Sequence, residues 1–446
     1  MRTTIALVNR RQGLLLFVLC WAVYLGNCRT LPYVSGGDTI PNRLIPFSIL
    51  RGRTPRLDMF RDDIDKPARV FSIHERNGSL ISMYPVGTSL AALPVYMPVY
   101  TFLSVGGKPS AHVLFVMSEF VEKYASATIT AFAVLIFWLT VRRTLSARPA
   151  FWMAIAFGIG TSMWATASQM LWQQTVVAAS VTAALWFLTW PDFPRWAAAG
   201  AGITLSMAVA ARPTAGLFLL AGFAATIVMG RRAWFQYALV FGIAAIPLVA
   251  FTLFVNWRYW GNVSGFYGVF LGSTLRAVFT KWGVTGTLGL LVSPNRGLLI
   301  FTPIAIFGIL GLGLQLFSRK ARSAVLLSFG IAALIHLLIS GAFENWWGGW
   351  SFGPRYLVDI LPILALAAAD VWNRLPQWTH RAAVVLLVWS IFVQFNGAFC
   401  YPASRWNGRM LGREPIASIY SWRDFELGQD FRAWLRLGTW STPWNI

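Results

Sequence analysis

Asp38 stands in the run Ser35-Gly36-Gly37-Asp38-Thr39-Ile40-Pro41-Asn42-Arg43, just after a first apolar segment that ends near Cys28. The polar stretch it opens runs to about Met83 and carries six of the sixteen acidic residues. A carboxylate held at the edge of apolar structure is suited to take a proton from a hydroxyl nucleophile. Gly36 and Gly37 would let the backbone approach a ligand, and Pro41 limits how far the segment swings. The structural alternative is that Asp38 caps a short helix beginning at Thr39. Asp58, followed by Asp62, Asp63 and Asp65, is the second-choice acid. Arg61 and Lys66 interleave with that run, which therefore reads as an ion-paired loop rather than a metal site.

Cations come next. Arg212, Arg296 and Arg355 each lie beside or near a proline at the end of an apolar segment, and Arg43 follows Asp38 closely. A guanidinium offers a planar fork that matches phosphate oxygens, so these four are the candidate phosphate ligands. Tyr84 in Tyr84-Pro85-Val86-Gly87 and Gln173 and Gln174 in a helix-to-helix turn are candidate sugar or acceptor contacts. So are Glu344, Trp347 and Trp350 in the Trp/Gly-rich loop 345–353 and just before it. Indole faces stack on sugar rings, but the same residues would also serve as an interfacial aromatic belt.

Composition says what must position these groups. Of 446 residues 57% are hydrophobic and only 12% charged, with 23 Trp and 33 Phe. An ordinary soluble chain carries about 25% charged residues. The chain reads as a polytopic helical membrane protein. Its net charge of +21 is spread as small clusters between apolar runs, a topology and anionic-lipid pattern and not a nucleic-acid surface. The few cysteines exclude a disulfide framework or a Cys-rich metal site. Cys28 and Cys400 fall at helix ends on one side, as an available pair or as two thiols. His336 stands within an apolar run as a packing residue.

Eleven apolar runs are long enough to span: 13–28, 124–141, 150–166, 174–190, 196–211, 214–230, 234–256, 297–317, 323–341, 356–372 and 382–399. The segment Ser89–Val105 contains Pro94 and Pro98. If it lies in the interface, the short Arg-rich loops all fall on the side of Arg2, Arg10 and Arg11. If it crosses, they all fall on the opposite side. The positive-inside bias therefore favours an interfacial helix, a cytoplasmic N-terminus and an external C-terminus. Residues 1–400 form one transmembrane module, with 29–123 as its first outer loop, and 401–446 form a short outer-face tail.

A first span, an acidic outer loop with Asp, a Tyr-Pro-x-Gly element, an interfacial helix and a polytopic bundle together resemble the GT-C glycosyltransferase superfamily. Within it the layout is similar to the protein-mannosyltransferase and lipid A aminoarabinose-transferase branch. The resemblance implies an all-α GT-C-like bundle of about 11 transmembrane helices under a layer of short interfacial helices. It also implies inverting transfer of a sugar from a polyprenyl-phosphate donor to a glycan, lipid or protein acceptor, at the outer face of a bacterial inner membrane. Asp38 matches the family's first-loop catalytic acid, and Arg212 the positively charged residue before Pro. Gln174 stands where many relatives carry His, which bears on any acid–base or phosphate role there. With one isolated Asp in place of an acidic pair, a divalent cation is possible but not required, and no cofactor is expected.

Two other classes compete with an enzyme. A transporter or flippase of lipid-linked sugars would concentrate ionisable groups near the midplane. Here the spans offer few, among them Asp359, Asp370 and His336. A non-catalytic scaffold explains the topology but not the collected Arg and Asp. On the topology read here, a reporter fused after Ile446 is expected to be active only outside the cytoplasm. Activity restricted to the cytoplasm would reverse the assignment.

Overall fold

A computed structural model describes residues 2–27, 37–64, 70–269, 283–318, 321–401, 406–411 and 415–437. Cys28, Ser35, Gly36, Asp65, Lys66 and the Cys28–Cys400 pairing lie outside the described residues.

The chain runs α1 (Arg2–Leu25), α2 (Ile40–Gly52), a hairpin of β1 (Ile73–Arg76) and β2 (Ser79–Ser82), then α3 (Gly87–Leu103) and α4 (Ala111–Val141). It continues with α5 (Ala147–Ile159), α6 (Gln173–Leu188), α7 (Arg195–Ala211), α8 (Gly216–Gly230) and α9 (Trp234–Trp260). Then follow α10 (Gly283–Val292), α11 (Ile306–Gln315), α12 (Ala321–Ala342), α13 (Leu361–Val371), α14 (Gln377–Phe395) and α15 (Glu426–Leu437). Among the described residues, five stretches are long and apolar enough to cross a membrane: Ala111–Val141, Pro213–Trp260, Arg322–Ala342, Arg355–Arg374 and Gln377–Cys400. Shorter apolar helices accompany them, among them Ala147–Ile159 and Gln173–Leu188. The chain is an integral membrane protein.

Two details differ from the sequence reading. The expected helix over 297–317 is broken: Leu298–Phe301 forms one turn, and Thr302-Pro303 interrupts before α11. Pro303 supplies no N–H, so the ladder cannot run through it. The expected outer loop 257–296 instead contains α10, whose Gly286 lies so close to Gly341 of α12 that a Cβ would meet that carbonyl oxygen at 2.0 Å. The hairpin is a further departure from an all-α reading. It pairs Ile73 with Ser82 through Arg76 with Ser79, and Asn77 and Gly78 both take positive φ at its tip. That is the backbone a two-residue hairpin turn requires.

Helix order separates the two ends of the bundle. At one end Arg143 lies over the Trp186 and Trp190 rings at 4.9 and 4.3 Å, Arg195 donates to Gln236, and Arg322 pairs with Asp370 at 3.0 Å. At the other end α2, the start of α3, the turn before α6 and the end of α7 come together. A Cβ on Gly87 would sit 2.2 Å from the Ala210 backbone, so only glycine lets α3 enter there. This close approach delivers Tyr84 to the same end as Arg212.

The C-terminal segment docks through one buried cation. Arg296 is fully buried and its guanidinium reaches Glu426 Oε2 and Asn407 Oδ1, each at 2.5 Å, as well as the Asn295 carbonyl. Its plane lies over the Trp406 ring at 5.2 Å. Removing one partner of a buried pair leaves an uncompensated charge and costs about 3–5 kcal/mol, whereas replacing both by apolar groups is near neutral. Arg296→Ala is therefore expected to lower the melting temperature markedly, and Arg296→Met with Glu426→Leu to recover most of it. Equal losses in the single and double variants would show that the pair does not hold the tail.

Candidate active site

Gly37, Asp38 and Thr39 form the turn leading into α2, and Thr39 rather than Asp38 occupies the N-cap position. No side-chain capping bond is made there. The Asp38 carboxylate instead accepts a hydrogen bond from the Tyr84 hydroxyl at 2.5 Å and one from Arg355 Nη1 at 2.5 Å. It retains 24% exposure, against 8% for the Arg355 side chain. Arg355 follows Gly353, which takes φ 61°, and Pro354, and opens the 3-10 helix Arg355–Ile360 ahead of α13. Its guanidinium stacks over the Trp172 ring at 4.2 Å and the Tyr356 ring at 5.4 Å. Arg355 Nε is buried without a partner among the described residues.

Arg212 is the second cation of this end. Pro213 forces the residue before it out of the helical region, and Arg212 has φ −153° and ψ 123°. α7 therefore ends there. Its Nη1 donates to Asp359 Oδ2 at 2.7 Å, and its guanidinium lies over the Tyr356 ring, which Arg355 also contacts, at 5.1 Å. Asp359 is fully buried with His336 Nε2 3.5 Å away, and that ring nitrogen donates to the Tyr356 carbonyl at 2.9 Å. The two arginines thus clasp one tyrosine.

Charge sets the protonation of Asp38. Burial would raise its pKa, but the Arg355 charge, the hydrogen bonds from Tyr84 and Arg355 and the Arg212 charge together hold it below the ordinary value. The Tyr84 phenol moves the other way, pushed up by burial and then by the Asp38 charge, so it remains a donor. Tyr267 is half-buried in the same field, hydrogen-bonded to Gln173 and within influence of Arg212 and Asp38.

The sequence-derived candidates divide. Asp38, Tyr84, Arg212, Arg355 and Gln173 come together, and Gln174 is buried beside them in the chain at the start of α6. Arg43 does not join: it points into the bundle and bonds Glu119 at 2.8 Å, with Glu122 3.8 Å away. Arg296 holds the tail, one relay behind, since Asn407 lies 3.5 Å from the Ser351 carbonyl. Glu344 is exposed and Trp347 half-buried, while Trp350 is 69% exposed above the short helix Trp406–Met410. Asp58 accepts from the Leu80 backbone N–H at 2.6 Å and so pins the hairpin. Asp63 pairs with His112 at 2.7 Å, and no group of three or more potential metal ligands occurs among the described residues.

Four neighbours were not singled out as site residues from sequence: Trp172, Tyr356, Asp359 and Tyr267. Asp359 carried a signal, an acid four residues after Arg355 in an apolar segment, where an ionisable group needs a partner. Tyr267 carried none, because nothing local in its loop marks the contact.

Compared with solved structures, the chain is similar to ArnT from Cupriavidus metallidurans bound to undecaprenyl phosphate, with TM-score 0.51 and 14% identity over 94% of this chain and 75% of that one. The apo form of the same ArnT gives TM-score 0.48 and 14% identity over 97% and 76%. The Archaeoglobus fulgidus oligosaccharyltransferase in complex with Zn and sulfate gives 0.46 and 14% over 96% and 57%. No family model matches the sequence, and no curated protein matches it. The likeness to undecaprenyl-phosphate-bound ArnT shows that the two chains share a fold.

A carboxyl whose folded pKa is depressed stabilises the fold above its unfolded pKa, and that contribution is lost as pH falls through the folded value. Tyr84→Phe removes a hydrogen bond to the charged form and so moves that loss to higher pH. Melting temperature followed from neutral pH into the carboxylate range, with Asp38→Asn as the reference, is expected to show this shift. Superimposable wild-type and Tyr84→Phe profiles would show that the hydroxyl does not act on Asp38.

Proposed function

We propose that this chain is a membrane glycosyltransferase that moves a sugar from a polyprenyl-phosphate donor to an acceptor hydroxyl, with inversion, at the external face of a bacterial inner membrane. The observation that carries the reading is the Asp38–Arg355 pair at 2.5 Å, set beside Arg212 at one end of an apolar bundle. The fold shared with undecaprenyl-phosphate-bound ArnT supports it, as does the motif resemblance to the GT-C superfamily. In this reading residues 1–400 are the catalytic module of about eleven spans, with the N-terminus cytoplasmic, and 401–446 are an external tail.

Arg212 and Arg355 hold the donor phosphate. The acceptor oxygen forms a bond to the anomeric carbon while the bond from that carbon to the phosphate oxygen breaks. The acceptor proton passes to Asp38, and the leaving prenyl phosphate gains a second negative charge. Cations already in place favour that charge most as it develops, so they stabilise the transition state more than the bound donor. A phosphate that engages Arg355 weakens its hold on Asp38. The burial that raises the carboxyl's pKa is then less opposed, and the carboxylate becomes a better base when donor is present. Tyr84, Tyr267 and Gln173 orient the sugar, and Trp347 and Trp350 flank the acceptor.

Asp38→Asn keeps the side chain's size and removes the base, so turnover is expected to fall roughly 10²- to 10⁴-fold with donor binding retained. Arg355→Lys keeps the charge but loses the fork and is expected to recover only part of the activity of the wild type. In the wild type, the acidic limb of the kcat profile should lie at higher pH than that of kcat/KM, because the former reports the donor-loaded state. Near-normal turnover in a folded Asp38→Asn variant would end the assignment.

A further inference from the structure

A cavity of ≈ 570 Å³ lies away from Asp38, between α5, α13 and α14. Its walls are single faces of three helices: Trp152 and Ala156 of α5, Leu364 and Ala368 of α13, and Leu387 and Ile391 of α14. The spacing of three and four residues along each helix aligns these side chains in a row, so the space is a slot along the bundle. Along α5 and the bend that follows it, the slot runs from Arg148 to Thr161, about 20 Å at the helical rise. That exceeds half of a hydrocarbon core roughly 30 Å thick, so the slot covers one leaflet.

Its ends differ. Thr161, Thr302 and Leu361 close the end nearer Asp359 and Arg355. Arg148 and His380 stand at the other, and they are the ionisable residues of the lining. No acid lines the slot, and among the described residues no carboxylate is paired with Arg148. His380 is fixed there by stacking on Trp372 at a centroid distance of 4.3 Å and by donating from Nε2 to the Trp372 carbonyl at 3.1 Å. Val384 and Val388 on the rim are 61% and 64% exposed, so the slot opens sideways to the bilayer.

We propose that this slot is a binding site for one anionic glycerophospholipid of the leaflet opposite the Asp38 cluster. One acyl chain lies along α5, α13 and α14, and the phosphate sits at Arg148. The slot is about one leaflet long and lined almost wholly by apolar side chains, which suits an extended hydrocarbon chain. The polyprenyl donor is not the occupant, because in the proposed function its phosphate belongs at Arg212 and Arg355, the far end from Arg148. A cation with no acidic partner at the headgroup level complements an anionic phosphate.

The test uses the full chain in mild detergent and native mass spectrometry, with phosphatidylglycerol or phosphatidylcholine of matched chains added. The wild type is expected to retain one phospholipid and to prefer phosphatidylglycerol. Arg148→Ala should weaken that preference roughly fivefold, the share one surface cation contributes toward an anionic lipid. Val384→Trp, at an exposed rim position whose change breaks no buried contact, should reduce retention of both lipids. Undecaprenyl phosphate added as competitor should leave the phosphatidylglycerol adduct in place. Displacement by undecaprenyl phosphate would assign the slot to a prenyl chain and overturn the proposal. Unchanged preference in Arg148→Ala or unchanged retention in Val384→Trp would overturn it equally.

Discussion

The contact on which the functional end depends is the ion pair between Asp38 and Arg355, which joins segments 317 residues apart in the chain. Asp38 lies in a turn and Arg355 is the first residue of the short 3-10 helix Arg355–Ile360, so neither position is fixed by local hydrogen bonding alone. Each is held instead by what it touches: Asp38 by Tyr84, and Arg355 by the faces of Trp172 and Tyr356. Desolvation makes such a pair costly unless its geometry is good and its remaining polar atoms are met. The site meets this with short charge-assisted bonds and with aromatic faces that accept a cation without competing for its hydrogens.

A second buried polar layer supports that pair from beneath. Asn42 donates to the Leu171 carbonyl at 2.9 Å, and Glu122 accepts from the Leu171 N–H at 3.0 Å. Lys123 donates to Gln169 Oε1 at 2.6 Å and to the Ser168 carbonyl at 3.3 Å. These bonds grip both sides of the turn before α6, and that turn presents Trp172 to Arg355. Arg43 belongs to this layer through Glu119 and Glu122. Charge is thus divided by depth: Arg43 positions backbone, while Arg212 and Arg355 face the Asp38 cluster.

Much of the layout was legible in the sequence. Apolar runs marked most of the helices, and the prolines at 213 and 354 marked a helix end at Arg212 and a helix start at Arg355. Asp38 was distinguishable from Asp58 because it follows the first apolar segment closely, and Asp58 proved to bond the hairpin backbone. What the sequence hid were choices made by tertiary contacts. Arg43 and Arg296 look as free as Arg212 on paper, yet Glu122 and Glu426 claim them across 79 and 130 residues of chain. Asn77-Gly78 was a readable hairpin signal that an all-helical expectation passed over. The interruption at Thr302-Pro303 was equally readable from the proline.

The docking of the C-terminal segment has a bearing on how the molecule is made. Arg296 is synthesised well before its carboxylate partner at Glu426, and Asp38 long before Arg355. During translation the early segments emerge first, and domains generally form in that order. Until Arg355 and Glu426 have been made, Asp38 and Arg296 lack these ionic partners. The Asp38 end is therefore closed late, by later segments docking onto a framework already formed. A chain that stops short of Arg355 lacks the closing half of the Asp38 cluster.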